Sequence, residues 1–315
     1  SFHHSSEQYV YRMDFIRKRL SESNIVFDFD AVIGRGGLLK PLEGGVYLVN
    51  ENMKKDLRNA PMDHACNLGG LLADAIAQEC GCKAFIADPV VVDEMDCVSR
   101  YTGIPEIKRI SVFHALNSKA CSRKYAASIA KKYEDLNLIV AHIGGGISVS
   151  AHKRGRVVDV NNALNGEGPF STERAGTIPA GQLVDLCFSG KYSKQQIMKL
   201  IHGRGGMTAY FGNNDMITIS SMAENGEKEY VNVLNAMIYT IAKQIGAMFV
   251  TLEGNVDAII LTGGIAHSKY CMALLEKRIG FLGNIVIMPG ENEIESLAYN
   301  AFGVLKGEIQ TKEYI

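Results

Sequence analysis

Two stretches far apart in the chain have nearly the same sequence, Asp30-Ala-Val-Ile-Gly-Arg-Gly-Gly37 and Asp257-Ala-Ile-Ile-Leu-Thr-Gly-Gly264. Each reads as a buried strand ending in a glycine pair, the pattern of a core strand in an α/β sheet that turns sharply beside a ligand. A repeat of this kind restricts the chain more than any other feature, because it predicts two related α/β domains. The length, 315 residues, suits two domains.

The periodicity predicts, for the second copy, a β-meander over 138–162, helices including a long amphipathic one over 227–251, a strand over 257–261, a helix from about 266, a strand over 284–288 and a last helix from 293. For the first copy it predicts a helix over 7–20, a strand over 27–33, a helix over 64–80, a strand over 84–87 and a helix over 113–133. The domains are therefore expected at 1–137 and 138–315, with the last helix packing back on the first. No meander stands in the first copy, and only 29 residues precede Asp30. If the halves are duplicates, a first glycine-turn meander belongs upstream of Ser1, and the chain is expected to lack part of its amino-terminal domain.

The meander carries the strongest chemical signal. An apolar strand, residues 138–141, enters His142-Ile-Gly-Gly-Gly146 and leaves as alternating Ile147, Val149 and Ala151. It turns at Arg154-Gly155 and returns through Val157, Val158 and Val160. Consecutive glycines let backbone N–H groups converge on an anion with no Cβ in the way, so the corner reads as a phosphate cradle; a plain tight hairpin corner is the other reading. A dinucleotide fingerprint requires a helix after the glycines, whereas here a strand follows. A Walker A loop is excluded as well, since no Gly-Lys-Ser or Gly-Lys-Thr closes the turn.

Composition narrows the partners. A net charge of −1 gives no electrostatic case for nucleic acid or an anionic membrane, so phosphate binding has to be local. The seven cysteines are scattered without a Cys-x-x-Cys pair, which predicts reduced thiols in a cytoplasm and no zinc site, with Cys80-Gly81-Cys82 marking a helix end. No uninterrupted apolar run reaches the roughly 18 residues of a membrane span, and the first residues do not read as a signal peptide.

Several blocks, in order along the chain, resemble the acetate and butyrate kinase family of the actin, hexokinase and Hsp70 superfamily. They are Val32-Ile-Gly-Arg-Gly-Gly-Leu-Leu-Lys-Pro41, Asp88-Pro-Val-Val-Val-Asp-Glu94, Val112-Phe-His-Ala-Leu-Asn117, the run from His142 to Gly176, His202-Gly-Arg-Gly-Gly-Met207, Leu261-Thr-Gly-Gly-Ile265 and Pro289-Gly-Glu-Asn-Glu-Ile-Glu295. The resemblance implies an α/β fold of two duplicated actin-like (ribonuclease H-like) domains with a central cleft, the first without its amino-terminal meander. It also implies ATP-dependent phosphorylation of a short-chain fatty acid carboxylate with magnesium, and a homodimer or larger homo-oligomer. The family's first phosphate turn, Asn/Asp-x-Gly-Ser-x-Ser/Thr-x-Lys, is not found. That departure keeps a second reading open, a non-catalytic ATP-binding regulatory protein of the same fold.

By the same resemblance, Arg35 and Arg174 match the family's active-site arginines, serving the acyl carboxylate and the transferring phosphoryl group; an ordinary surface ion pair is the alternative for each. His114 matches a histidine that donates a hydrogen bond to the phosphoryl oxygens, and is otherwise a core histidine. Asp88 is expected to orient the substrate carboxylate or help hold magnesium, or else to be a turn residue or helix cap, as is Asp93. Glu293 matches a magnesium-linked glutamate, although Glu291, Glu293 and Glu295 also suit a helix start. ATP phosphates are expected on Gly144, Gly145 and Gly146 beside His142, and adenosine near Thr262, Gly263, Gly264 and Ile265. His202–Gly206 is either nucleotide-proximal or a helix connection. Finally, Gly36 and Gly37 follow Arg35 where acetate kinases place bulky aliphatic residues, so a shorter pocket wall predicts butyrate or isobutyrate over acetate.

Overall fold

The computed structural model describes residues 4–60 and 62–315. The elements begin with α1 (Gln8–Glu22), β1 (Ala31–Arg35), β2 (Val46–Leu48), α2 (Glu51–Arg58), α3 (Leu68–Cys80), β3 (Lys83–Ala87) and α4 (Ala115–Ser128). They continue with β4 (Asn137–Ile143), β5 (Ile147–Lys153), β6 (Arg156–Val160), α5 (Ala180–Phe188), α6 (Lys194–Ile201), α7 (Gly206–Phe211) and α8 (Met216–Glu224). The remainder is α9 (Lys228–Thr251), β7 (Ala258–Gly263), α10 (Lys269–Ile279), β8 (Ile285–Pro289), α11 (Glu293–Leu305) and β9 (Thr311–Lys312).

Packing gathers these elements into two units. One holds the residues up to Asp93 together with Asn292–Ile315, and the other holds Glu94–Glu291. The boundary expected at 137/138 follows the start of the meander, whereas the packing divides at Asp93/Glu94. Residues 94–137 join the second unit because α4 lies on β4 and β7. Glu94 adds to this by holding Lys119 Nζ at 2.9 and 3.0 Å and accepting from the Val157 N–H at 2.8 Å. Both charges are deeply buried, a state tolerable only because each satisfies the other.

In the first unit the sheet order is β1-β3-β2-β9, with β1 parallel to β3 and β2 antiparallel to it. The strand expected over 27–33 begins only at Ala31, opposite Lys83, because its partner β3 starts there, just after Gly81 ends α3 with φ of 68°. The Cys80-Gly81-Cys82 helix end is as expected. Nor is β1 fully buried as its sequence suggests. Among the described residues it has β3 as its single partner, and four of its residues are half-buried. Helix α2, not foreseen, is started by the Asn50 side chain, which accepts from the Met53 N–H at 3.0 Å. Helix α11 packs on β1 and β3.

The second unit is built on the order β6-β5-β4-β7-β8. The expected meander is present: β4, β5 and β6 are antiparallel neighbours, and β5 and β6 meet at Arg154-Gly155, both with positive φ as a tight hairpin turn requires. Strands β7 and β8 extend the sheet in parallel from β4. Strand alternation divides the side chains between two faces. Ile139, Ala141, Ile143, Ile147, Val149 and Ala151 join one core with α9, where Leu234, Met237, Ile238, Ile241, Ile245 and Met248 recur at helical spacing. Leu138, Val140, Ala258 and Ile260 form the other core with Cys121 and Tyr125 of α4.

Helix α9, with 24 residues, has the length and hydropathy of a membrane span, yet this buried stripe makes it a core helix. The intervening residues His142, Ser148, Ser150 and His152 therefore face α4. They are buried there.

Candidate active site

In the second unit the site grows from the corner between β4 and β5. Gly144, Gly145 and Gly146 connect the paired residues Ile143 and Ile147, and the Gly144 N–H reaches the Gly146 carbonyl at 3.2 Å. None of the three has a positive φ, so glycine is not needed here for backbone conformation. Space is the reason. A Cβ on Gly146 would lie 1.8 Å from Arg174 Nη1, and one on Gly144 would lie 3.2 Å from His142 Nε2. The corner is thus bare of side chains and flanked by a guanidinium and an imidazole, with Gly145 exposed between them.

Arg174 is held from several sides. Its Nη1 donates to the Ala163 carbonyl at 2.5 Å, and the Ala163 N–H donates to the Val112 carbonyl at 2.9 Å, which ties the loop before His114 to the arginine. Ser171 Oγ accepts from the Arg174 N–H and donates to the Gly145 carbonyl at 2.7 Å. Behind this turn, the Ala175 N–H donates to Ile201, the Gly203 and Gly205 N–H groups to Glu173, and the Met207 N–H to Ser171. The segment His202–Gly206 is therefore a clamp on the Arg174 turn. Among the described residues Arg174 forms no ion pair, and burial pulls its pKa below the ordinary value, opposed by the charge of Glu173. A partly desolvated guanidinium without an ion pair gains from an anionic partner.

His114 and His142 stack with ring centroids 3.8 Å apart and planes 10° from parallel. His142 is buried on β4, with Nδ1 2.8 Å from Asn117 Oδ1 and Nε2 3.9 Å from a Glu291 carboxylate oxygen. His114 caps α4, half-buried, with Nδ1 2.9 Å from Ser148 Oγ. Deeper under α4, His152 meets Tyr133, Ser150 and Ser118, and burial, reinforced by Lys119 and Arg123, holds its pKa well below the usual histidine value.

The expected adenosine residues sit at the end of β7. Gly263 has φ of 91°, and a Cβ there would lie 2.5 Å from the Ile143 carbonyl oxygen; its N–H and carbonyl exchange hydrogen bonds with Gly290, both at 3.1 Å. Thr262 and Ile265 are buried, the Thr262 hydroxyl donating to the Gly290 carbonyl at 3.0 Å, so of the four only Gly264 is exposed.

In the first unit, parallel pairing sets Arg35 beside Ala87, which puts Asp88 just beyond the neighbouring strand end. Arg35 Nη1 lies 2.9 Å from Glu293 Oε2, at the first position of α11. Asp88 is buried with φ of 38°, a costly conformation for a non-glycine residue, and Oδ1 accepts from the Gly45 N–H at 2.7 Å. It is therefore at least a turn residue. Cys66 is buried, and burial pushes its thiol up to about 11 against the pull of Arg35.

Gly36 and Gly37 do not lengthen the acyl pocket as expected. A Cβ at Gly36 would lie 2.5 Å from Pro89 and one at Gly37 2.5 Å from Asn67 Oδ1, so protein atoms already fill the space those glycines release. Among the described residues no three His, Cys, Asp or Glu side chains converge as a metal cluster. Sequence reasoning gave no role to Asn117, Ser148, Ser171 or the Ala163 carbonyl. Asn117 alone had a signal, its i, i+3 spacing from His114 on a helix.

Residues 102–301 match the model of the acetokinase family. A "Probable butyrate kinase" of Phocaeicola vulgatus is 66% identical over 313 residues, 99% of this chain and 88% of that protein. The chain belongs to the acetokinase family. "Butyrate kinase 2" of Clostridium acetobutylicum is 50% identical, covering 98% of this chain and 87% of that one. Among solved structures, Porphyromonas gingivalis acetate kinase superposes with a TM-score of 0.79 at 19% identity, over 94% of this chain and 84% of that chain. Entamoeba histolytica acetate kinase gives 0.75 at 16%, over 93% and 86%. These two share the fold, the duplicated actin-like architecture that the family resemblance implies.

Proposed function

We propose that the chain is an ATP-dependent carboxylate kinase that reversibly transfers the terminal phosphoryl group of ATP to butyrate or a closely related short-chain fatty acid, giving acyl phosphate and ADP. One observation carries the reading. A glycine corner without side chains is flanked by a half-buried Arg174, which forms no ion pair among the described residues, and by the stacked His142–His114 pair. Phosphoryl transfer to a carboxylate brings anions together, so catalysis consists of positive charge and positioning. Butyrate as the acyl group is supported by the names of the relatives at 50 and 66% identity.

In this reading Gly144, Gly145 and Gly146 receive the nucleotide phosphates, and the exposed backbone at Gly264 adjoins adenosine, with Thr262, Gly263 and Ile265 as its scaffold. Arg174 neutralises the migrating phosphoryl group, and His114 donates to its oxygens. Arg35 serves the acyl carboxylate, which Asp88 helps orient through the turn it holds. Magnesium beside a nucleotide takes one or two protein carboxylates and fills its other positions with water and phosphate oxygens. Glu293, held by Arg35, fits that requirement. When bound, the ion supplies charge neutralisation at the phosphates. Seven free cysteines support a reducing cytoplasm as the setting, and a homo-oligomer belongs to the reading by family.

The test is trapping of acyl phosphate as the hydroxamate from ATP and butyrate, on the wild type and on Arg174→Ala. The expected result is product from the wild type and a loss of roughly 10³-fold or more in the variant with the fold intact. Nucleotide binding with no acyl phosphate from either protein refutes the kinase and leaves the ATP-binding regulator.

A further inference from the structure

We infer that Asn117 is a positioning residue that fixes which nitrogen of His142 carries the proton and ties that imidazole to the Gly263–Gly290 rung. The inference rests on the kinase reading only for its effect on turnover. Asn117 is buried in the first turn of α4 and reaches three groups. One end of its amide lies 2.6 Å from the Glu291 carbonyl oxygen and 3.4 Å from that of Gly290. Carbonyl oxygens only accept, so this end is the NH2 group, and the end 2.8 Å from His142 Nδ1 is the oxygen.

An amide oxygen in turn only accepts, so Nδ1 of His142 must hold a proton. The partner of one ring nitrogen decides the state of the other. In neutral His142 the lone pair is therefore on Nε2, the nitrogen that faces Gly144 and lies 3.9 Å from the Glu291 carboxylate. A neutral imidazole free in water prefers the opposite arrangement, with the proton on Nε2.

The same amide reaches the other side of the site. Gly290, whose carbonyl receives the weaker Asn117 bond, exchanges two hydrogen bonds with Gly263, and its carbonyl also accepts from the Thr262 hydroxyl. One side chain therefore links the imidazole at the glycine corner to the end of β7. Ring stacking leaves His114 without a separate choice of position, because His142, once oriented, sets the plane against which it packs.

Two substitutions separate the two halves of the amide. Asn117→Asp keeps an acceptor toward His142 Nδ1 and removes the donor to Glu291 and Gly290; Asn117→Ala removes both. The measurement is long-range proton–nitrogen NMR on the full chain labelled with 15N-histidine, at about pH 8.5, above the ordinary histidine range. The His142 signals are identified by their loss in His142→Gln. The expected result is a proton on Nδ1 alone in the wild type and in Asn117→Asp, and a shift toward the Nε2–H form in Asn117→Ala. In the hydroxamate assay Asn117→Ala should lose about tenfold or more in turnover, with Asn117→Asp between it and the wild type.

A wild-type His142 protonated on Nε2 overturns the inference, and so does an Asn117→Ala protein that retains the Nδ1–H form. The wild-type spectrum decides the tautomer even if neither variant folds. It also decides it if the wild type makes no acyl phosphate, an outcome that would sink the kinase reading alone.

Discussion

Gly146→Ala addresses the central contact of the proposed site. Its backbone is outside the left-handed region, so alanine meets no conformational penalty there. The new methyl would start 1.8 Å from Arg174 Nη1, and ordinary contact begins near 3.4 Å, so the guanidinium must retreat by roughly 1.6 Å. A flexible arginine tip would give way cheaply, but this one is anchored to the Ala163 carbonyl and half-buried. Losing a hydrogen bond from a charged donor costs about 1.5 to 3 kcal/mol, which bounds the effect on stability. The effect on rate should be at least as large, since a displacement of about 1 Å in a positioned group costs on the order of 100-fold, or about 2.7 kcal/mol of barrier. Turnover at saturating ATP, measured by the hydroxamate assay beside urea unfolding, reads both quantities. Arg174→Ala supplies the control: once the guanidinium is gone the methyl has nothing to displace, so Gly146→Ala added to it should change turnover by less than about twofold. A single Gly146→Ala variant within threefold of wild type, or a double variant showing full additivity, would refute the placement of Arg174 in the chemistry.

Two further outcomes follow from the same geometry. Gly36→Ala and Gly37→Ala should each destabilise the protein by about 1 to 3 kcal/mol through overpacking and leave the preference among acetate, propionate and butyrate unchanged; a change in acyl preference without loss of stability would restore the pocket-wall idea. For His152, burial first and then Lys119 and Arg123 disfavour the charged form, so the unfolded chain binds the proton more readily than the folded one. The stability from keeping His152 neutral is complete above its ordinary value of 6.5 and is lost as pH falls from there toward the lowered native value, with a slope of up to about 1.4 kcal/mol per pH unit. His152→Gln should flatten that part of the pH–stability curve, and equal slopes for wild type and variant would contradict the assignment.

What could be read before folding was whatever repeats or alternates. The Asp30 and Asp257 repeats announced the strands β1 and β7, and the alternation from Ile147 to Ala151 with Arg154-Gly155 announced the meander. The unit boundary was not legible, because it depends on Glu94 finding Lys119 and Val157 across the chain, and no local pattern marks such a pairing. The polar face of β5 depends on contacts across the chain as well. Ser148, Ser150 and His152 alternate with apolar residues and are buried, with His114 satisfying Ser148, Ser118 of α4 reaching Ser150, and Ser122 of α4 and Tyr133 reaching His152 in place of water. The family resemblance proposed Arg174 and His114 as site residues. Their supports are backbone carbonyls and amides from distant loops, which carry no side-chain signature at all.

The glycines make the limit concrete, because a sequence records that a Cβ is missing and not what uses the room. At Gly146 the room is taken by a guanidinium, at Gly263 by the Ile143 backbone, and at Gly36 and Gly37 by Pro89 and Asn67. The first admits a charged side chain, the second lets β7 turn closely against β4, and the third is packing. All three look alike as letters, and two of them are the matching ends of the repeat. The likeness between Asp30–Gly37 and Asp257–Gly264 therefore extends to the strands and stops at the turns, where Gly263 has φ of 91° and neither Gly36 nor Gly37 has a positive φ. Duplication preserved the parallel strand pair while the two corners diverged. It is at such corners that a duplicated fold can hold a nucleotide in one half and a carboxylate in the other.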